Sequence, residues 1–518
     1  MRSDQCHIKL LRWLPLLLPC LLMAQTPVEN LQKYKILRER FNLGFVLRAE
    51  NADVQGSFLP VESRQTSADG SVTAYWADGT WWLGHYVAVL ATEYARLRGE
   101  GDTLSAEAAR LELCQALRTY DRLDRVAESC WNGDTCTNGF YLRDDVPAGW
   151  KGVPDVQNVV SDFARHCGNV SSTGNGPSQD QAWASYLGLA LVRALVDDSA
   201  LYAHSGAIAR RLVKAMQFTD AGGRESWQVT NPVTGAVMQS SMDIQWLRYA
   251  HARACELLTG GTVDFGGSNT SVARMLWDTI QNNFTIDKNG YYNWYGVMLL
   301  STVINETGNL PGEENAGAYE WLFRKSEELA MLRPDLEQSL VFPHLPLASL
   351  LLYPQQQQPL SDASVYEQYL NSAPVGGASR QKQGDDWVCT AAPWHTLSLF
   401  CPWHNQDEGS FNMLDYLLLY NLYRLVYHKG EPAAVCQGEP VGVSVFPNPT
   451  CGSLRVEIPT EIPVAECRLC DLHGRVLLRR QLDEGQTILE LSDFPAGIYY
   501  LQMSDGKRLF SVRKVIKY

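Results

Sequence analysis

The chain is short of positive charge. Lys and Arg number 44 against 57 Asp and Glu, a formal net charge of −13, and no basic cluster interrupts the deficit. Nucleic acid is bound mainly by neutralising phosphates, so no nucleic-acid partner is expected. Beyond residue 24 the sequence also lacks any apolar stretch of the roughly 20 residues that a membrane-spanning helix needs. No integral membrane segment is expected there. A Gly-rich phosphate loop is missing, and Ser161 and Ser178 have no nucleophile-elbow context. No repeat of about 34 to 47 residues recurs, which argues against a helical solenoid. The body shows no strand–helix alternation of the kind that builds a parallel sheet. No cofactor is expected.

What is present begins with Arg2, Lys9 and Arg12, the apolar run Trp13–Met23 and the small residue Ala24. This order predicts a signal peptide over residues 1–24, cleaved near Ala24. Two of the 13 cysteines, Cys6 and Cys20, fall within it. An exported chain permits disulfides. Cys130 with Cys136, and Cys389 with Cys401, each close a short loop beside a helix and are the expected pairs, although spacing alone leaves connectivity open. Cys467 and Cys470 have the spacing of half a zinc site, but no second ligand pair accompanies them and alternation on a strand accounts for them. No metal centre is expected.

From Ser71 the chain alternates helical patterns with loops rich in Gly, Asn, Asp and Pro. Helices are predicted at 31–47, 80–98, 105–129, 180–197, 201–217, 242–258, 271–283, 292–305, 316–332, 340–353, 363–371 and 410–428, with a polar connector over 50–70. Several are apolar nearly all round, as in YLGLALVRALV and MLDYLLLYNLYRLV, and others are amphipathic and charged, as in AEAARLELCQALRTYDRL. All-round apolar helices belong inside and charged ones outside. About twelve helices alternating inner and outer predict an all-α body, an (α/α)6 toroid of six hairpins over residues 25–430. A linker at 431–440 follows. From Val441 the balance is near neutral, 10 Lys and Arg against 9 Asp and Glu. Six or seven short alternating strands there predict a small all-β sandwich over 441–518.

Three of the apolar helices open on Asp-x-x-Trp: Asp78 to Trp81, Asp180 to Trp183 and Asp243 to Trp246. In a toroid the inner helices start at one end of the ring, so these acids could share a cleft. Two carboxyls roughly 5–5.5 Å apart, or 6.5–9.5 Å apart, are what retaining or inverting glycoside hydrolysis requires. Trp76, Trp81, Trp183, Trp246 and Trp294 could supply the flat apolar surface that stacks sugar rings. The plainer alternative is that each Asp caps its own helix and each Trp fills the core. A second constellation lies in 384–410, where His395, Trp403 and His404 stand among Asp385, Asp386, Asp407 and Glu408. It reads as the rim of a cleft or as an exposed loop held by a disulfide. A lyase would want a Tyr or His base, with Tyr291, Tyr292, Tyr295, His166 and His344 available; an acidic body is a poor host for a polyanion.

Two resemblances add to this. FPNPTCGSLRVEI, DLHGRV, LELSDFPAGIYYLQM and the terminal Lys-Val-Ile-Lys resemble the C-terminal sorting domain of the type IX secretion system of Bacteroidetes. That resemblance implies recognition by the type IX machinery, passage across the outer membrane, and a secreted or surface location. The three tail cysteines depart from it. Asp78-Gly-Thr-Trp-Trp82, Gln179-Asp180-Gln181 and SFNMLDYLLLYNLYRL resemble the six-hairpin toroid proteins that include many glycoside hydrolases and polysaccharide lyases. That resemblance of texture implies a carbohydrate-active protein. A glycoside hydrolase acting on a polysaccharide through Asp180 and Asp78, with Asp243 or Glu408 in reserve, is the first expectation. A non-catalytic carbohydrate-binding or surface-structural protein is the second and a polysaccharide lyase the third.

Overall fold

The computed structural model describes, in the main, residues 27–143 with short omissions, 179–217, 245–264, 344–352, 363–373, 410–430 and 444–517, with short strands between. The body is mostly helical. Its described helices are α1 (Pro27–Gly44), α2 (Gly79–Gly99), α3 (Thr103–Asn132), α4 (Gln179–Leu195), α5 (Ser199–Met216), α6 (Gln245–Thr259), α7 (His344–Leu352), α8 (Ser364–Ser372) and α9 (Leu414–Tyr427). Each lies within a few residues of a predicted helix. The predicted helices at 271–283, 292–305 and 316–332 lie outside the described residues, as do residues 1–24 and the linker.

Helix α2 is the hub. Trp81, Trp82, Leu83, Tyr86, Val87, Val89 and Leu90 are all buried, as expected of a helix apolar all round. It packs on α3, α4 and α9. Against α4 the fit is backbone to backbone. A Cβ on Gly84 would stand 2.4 Å from the Ala184 carbonyl, and one on Gly188 would stand 2.4 Å from the Gly84 oxygen. Only glycine admits that approach. The facing pairs, Thr80 with Gln181, Gly84 with Ala184 and Ser185, and Val87 with Gly188, advance together along both helices. Helices α2 and α4 are therefore parallel. Helix α9 runs the same way. Asn421 bridges Val89 O and Arg96 Nε at 3.3 and 2.9 Å, and Arg424 reaches Glu100 farther along at 3.1 Å.

An ionic network ties the outer helices to this hub. Arg38 of α1 donates to Glu93 of α2 at 3.0 Å and to Glu112 of α3 at 2.8 Å. Tyr34 donates to Glu93 at 2.8 Å, and the Arg96 guanidinium lies 5.0 Å from the Tyr34 ring centre. Such charges survive burial because each carboxylate meets a cation or hydroxyl. Helix α5 starts on an Asp that caps it, since Asp198 accepts from the amides of Ala200 and Leu201.

The connector at 50–70 departs from expectation, because part of it forms strands. β1 (Val46–Leu47) pairs with β2 (Leu59–Pro60), and β3 (Ser63–Thr66) pairs antiparallel with β4 (Val72–Tyr75). β4 also pairs in parallel with β5 (Asn158–Val160). Phe58, Leu59, Val61 and Ala74 alternate or cluster enough to bury themselves against the helical core. Two hairpins follow, β6 (Val229–Thr230) with β7 (Val237–Gln239) and β8 (Arg380–Gln383) with β9 (Asp386–Cys389). The second occupies the start of the segment read as a cleft rim.

The C-terminal part has seven described strands in two antiparallel sheets. β10 (Ser444–Phe446), β11 (Ser453–Glu457) and β14 (Gln486–Glu490) form one, in the order β10-β11-β14. β12 (Glu466–Asp471), β13 (Val476–Gln481), β15 (Gly497–Ser504) and β16 (Leu509–Lys517) form the other, in the order β13-β12-β15-β16. Leu454, Val456 and Leu489 from the first sheet share a core with Cys467, Leu469, Leu501, Met503 and Val515 from the second. Alternation selects these residues. Cys467 is buried in this core; the side chain of Cys470 lies outside the described residues. Near Thr450, segments far apart in sequence meet. Thr450 bridges Lys517, the Lys517 ammonium donates to Phe494 O at 2.7 Å, and Tyr499 donates to Pro495 O at 2.5 Å.

Candidate functional site

Because α2 and α4 run parallel in a level register, their first turns open at the same end of the body. The Thr80 hydroxyl donates to the Gln181 side-chain carbonyl at 2.8 Å. Behind it Tyr120 of α3 donates to Ser185 at 2.9 Å, and Ser185 donates to the Gln181 backbone oxygen at 2.8 Å. All four side chains belong to buried residues. Satisfied polar groups in a low-dielectric interior fix one arrangement, since breaking any of them leaves a buried orphan.

Aromatic and imidazole rings surround this contact. His85 lies 4.8 Å from Trp81 and 5.9 Å from Trp82, and His344, the first residue of α7, meets His85 edge-on at 5.8 Å. His85 Nδ1 is 3.1 Å from the Trp81 carbonyl. A carbonyl only accepts, so Nδ1 carries the proton and Nε2 is the bare nitrogen. On α6, His251 stacks on Trp183 at 4.2 Å, with Tyr186 Oη 3.1 Å from its Nδ1. Burial disfavours the charged imidazole. It lowers His85 to about 4 and His251 to about 3, and His344 falls well below its ordinary value through burial and the neighbouring His85. All three are neutral at pH 7.

Of the residues expected at a site, Trp76, Trp81 and Trp183 are 1%, 1% and 0% exposed. They fill the core and present no open ring face, so the sugar-stacking role expected of them has nothing to act through in this structure. His344, offered as a lyase base, is a buried neutral imidazole and a weak one. Asp180 is the second residue of α4 and Trp246 the second of α6; their side chains, together with Asp78, Asp243, Glu408, Trp294, His395, Trp403, His404, Tyr291, Tyr292, Tyr295 and His166, lie outside the described residues. So do both expected disulfide pairs, for Cys130 and Cys389 are placed only by backbone.

Sequence reasoning passed over Asp415. It sits in the first turn of α9, which is parallel to α2, and burial raises its carboxyl to about 6 against the pull of Arg40. Its sequence signal is SFNMLD, an acid at the start of an apolar helix with no Trp one turn on. Among the described residues no cluster of His, Cys, Asp and Glu could hold a metal ion, and no helix is long and apolar enough to cross a membrane.

No curated protein and no solved structure matches the chain. Residues 444–518 match the family model described as the secretion system C-terminal sorting domain, the two-sheet unit whose Thr450, Pro495, Tyr499 and Lys517 meet at one corner. That unit is a type IX sorting domain, and the protein is one exported through the outer membrane to the cell surface or the extracellular space.

Proposed function

We propose that the helical body of this exported protein is a glycoside hydrolase-like (α/α)6 toroid acting on a neutral or weakly charged polysaccharide. Asp180 and Asp78 form its carboxyl pair in this reading, with Asp243 or Glu408 in reserve. One observation carries it: α2 and α4 start level and side by side, joined by the Thr80–Gln181 hydrogen bond. Asp180 precedes Gln181 and Asp78 precedes Gly79, so the chain delivers one acid to each of two adjoining helix starts. Helix N-termini favour carboxylates electrostatically, and hydrolysis needs two carboxyls roughly 5–10 Å apart. The toroid reading draws support from the packing of α2 between α4 and α9, with α1 on α9 and α3 on α2.

Neutral His85, His251 and His344 supply no acid–base pair of their own, which favours carboxylates for the chemistry. The burial of Trp76, Trp81 and Trp183 supports a second reading, a non-catalytic surface-structural protein in which the acids only cap helices. Reducing-sugar release across a polysaccharide panel separates the two, using the full chain as exported with Asp180→Asn and Asp78→Asn alongside. Release lost in both variants while both still melt cooperatively is the expected result. No release from any glycan, with neither variant differing from the wild type, would replace hydrolysis with the structural role.

A further inference from the structure

Among the described residues, Thr80 and Gln181 make a polar contact between two helices that come close through glycines. At the crossing Gly84 meets the Ala184 backbone, and Gly188 seats the Val87 side chain 3.2 Å from where its own Cβ would stand; the polar contact lies one turn nearer the helix starts. A slide of one residue moves the start of a helix by about 1.5 Å and turns it by about 100°. The Thr80–Gln181 bond at 2.8 Å is made by buried groups, and sliding would break it. The Ser185 and Tyr120 bonds fasten the other side of the same turn to α3.

We infer that Thr80 and Gln181 are positioning residues: their hydrogen bond sets the height and rotation of the first turn of α4, and so of Asp180, against the start of α2. The inference rests on the carboxyl-pair reading for its catalytic consequence. Its geometric content, that Thr80 controls where Asp180 stands, does not. Neither residue is assigned contact with substrate. Thr80→Val keeps the shape and removes the donor, Thr80→Ser keeps the donor, and Gln181→Met removes the acceptor.

The test has two arms on the full exported chain. In the first, kcat, KM and the pH profile of sugar release are measured for the wild type and the three variants. Misplacing a reacting group by about an ångström costs on the order of 100-fold. Thr80→Val and Gln181→Met should therefore lose 10- to 100-fold in kcat, as an order-of-magnitude expectation, with KM little changed and the limbs of the pH profile shifted; Thr80→Ser should restore both. In the second arm, selectively 13C-labelled aspartate reports the Asp180 titration directly. Thr80→Val and Gln181→Met should shift that titration, because moving the first turn of α4 changes what the Asp180 carboxyl faces, and Thr80→Ser should return it to the wild-type value. An Asp180 titration identical in Thr80→Val and wild type, with kcat also unchanged, overturns the inference. A wild type that releases no sugar sinks the hydrolase reading alone, and the titration arm then decides the positioning role by itself. If Thr80→Val unfolds, Thr80→Ser against Gln181→Met gives the same comparison.

Discussion

The buried imidazole of His251 makes a quantitative demand on stability. It is fully buried against Trp183 and Tyr186 of α4, and its pKa drops to about 3, whereas an unfolded histidine titrates near 6.5. Between those values the unfolded chain binds a proton that the folded chain does not. Stability from this group is intact above pH 6.5 and is lost as the pH falls below it. At pH 5 the unfolded histidine is about 1.5 units below its pKa, and each unit is worth 1.36 kcal/mol, so the loss is about 2 kcal/mol. Other groups mask it in a bare pH scan. Burial raises Asp124 and Asp415 to about 6 and Glu39 to about 8, and these gain stability as the pH falls through those values. The measurement is therefore a difference. His251→Phe keeps the ring on Trp183 and removes the titration. Urea unfolding of both proteins at pH 7.5 and pH 5 should show the wild type losing about 2 kcal/mol relative to the variant between the two pH values. A gap that stays constant with pH would refute the assignment of a buried neutral imidazole there.

Three further outcomes follow from the same geometry. Gly84→Ala forces a methyl to within 2.4 Å of the Ala184 backbone and should cost about 1–3 kcal/mol or more by overpacking, read as a lowered denaturation midpoint with an unchanged slope; a neutral effect would mean that α2 and α4 do not touch there. Arg38→Met strands Glu93 and Glu112 without their shared cation and should cost about 3–5 kcal/mol, checked by thermal melting; Glu93→Gln in that background should recover part of the loss. In the sorting domain, Leu469→Ala empties the centre of the sandwich at about 2–5 kcal/mol. Fractionation of expressing cells should then show less protein outside the outer membrane, and wild-type yields would separate export from the fold of this unit.

Composition and local pattern determined much of this protein unaided. Apolar residues at every position of Trp81–Leu90 except His85 leave a helix no face to offer water, so burial of α2 followed from sequence; the strict alternation of Leu454-x-Val456 and Cys467-x-Leu469 likewise selects a two-faced sheet. The marks of the sorting domain are local strings, and local strings survive without a fold to interpret them. The Asp-x-x-Trp pattern also located the level starts of α2 and α4, but not the use of its tryptophans. A Trp that fills a core and one that stacks a sugar are the same letter, and only packing tells them apart. Tertiary structure alone decided that Gly84 meets Ala184, that Thr80 reaches Gln181 across 101 positions of chain, and that Arg38 serves two carboxylates on two helices. Those facts depend on which surfaces face each other at van der Waals distance. No residue's neighbours in sequence carry that information, because the free energy of a long-range contact exists only once the chain between has folded to close it.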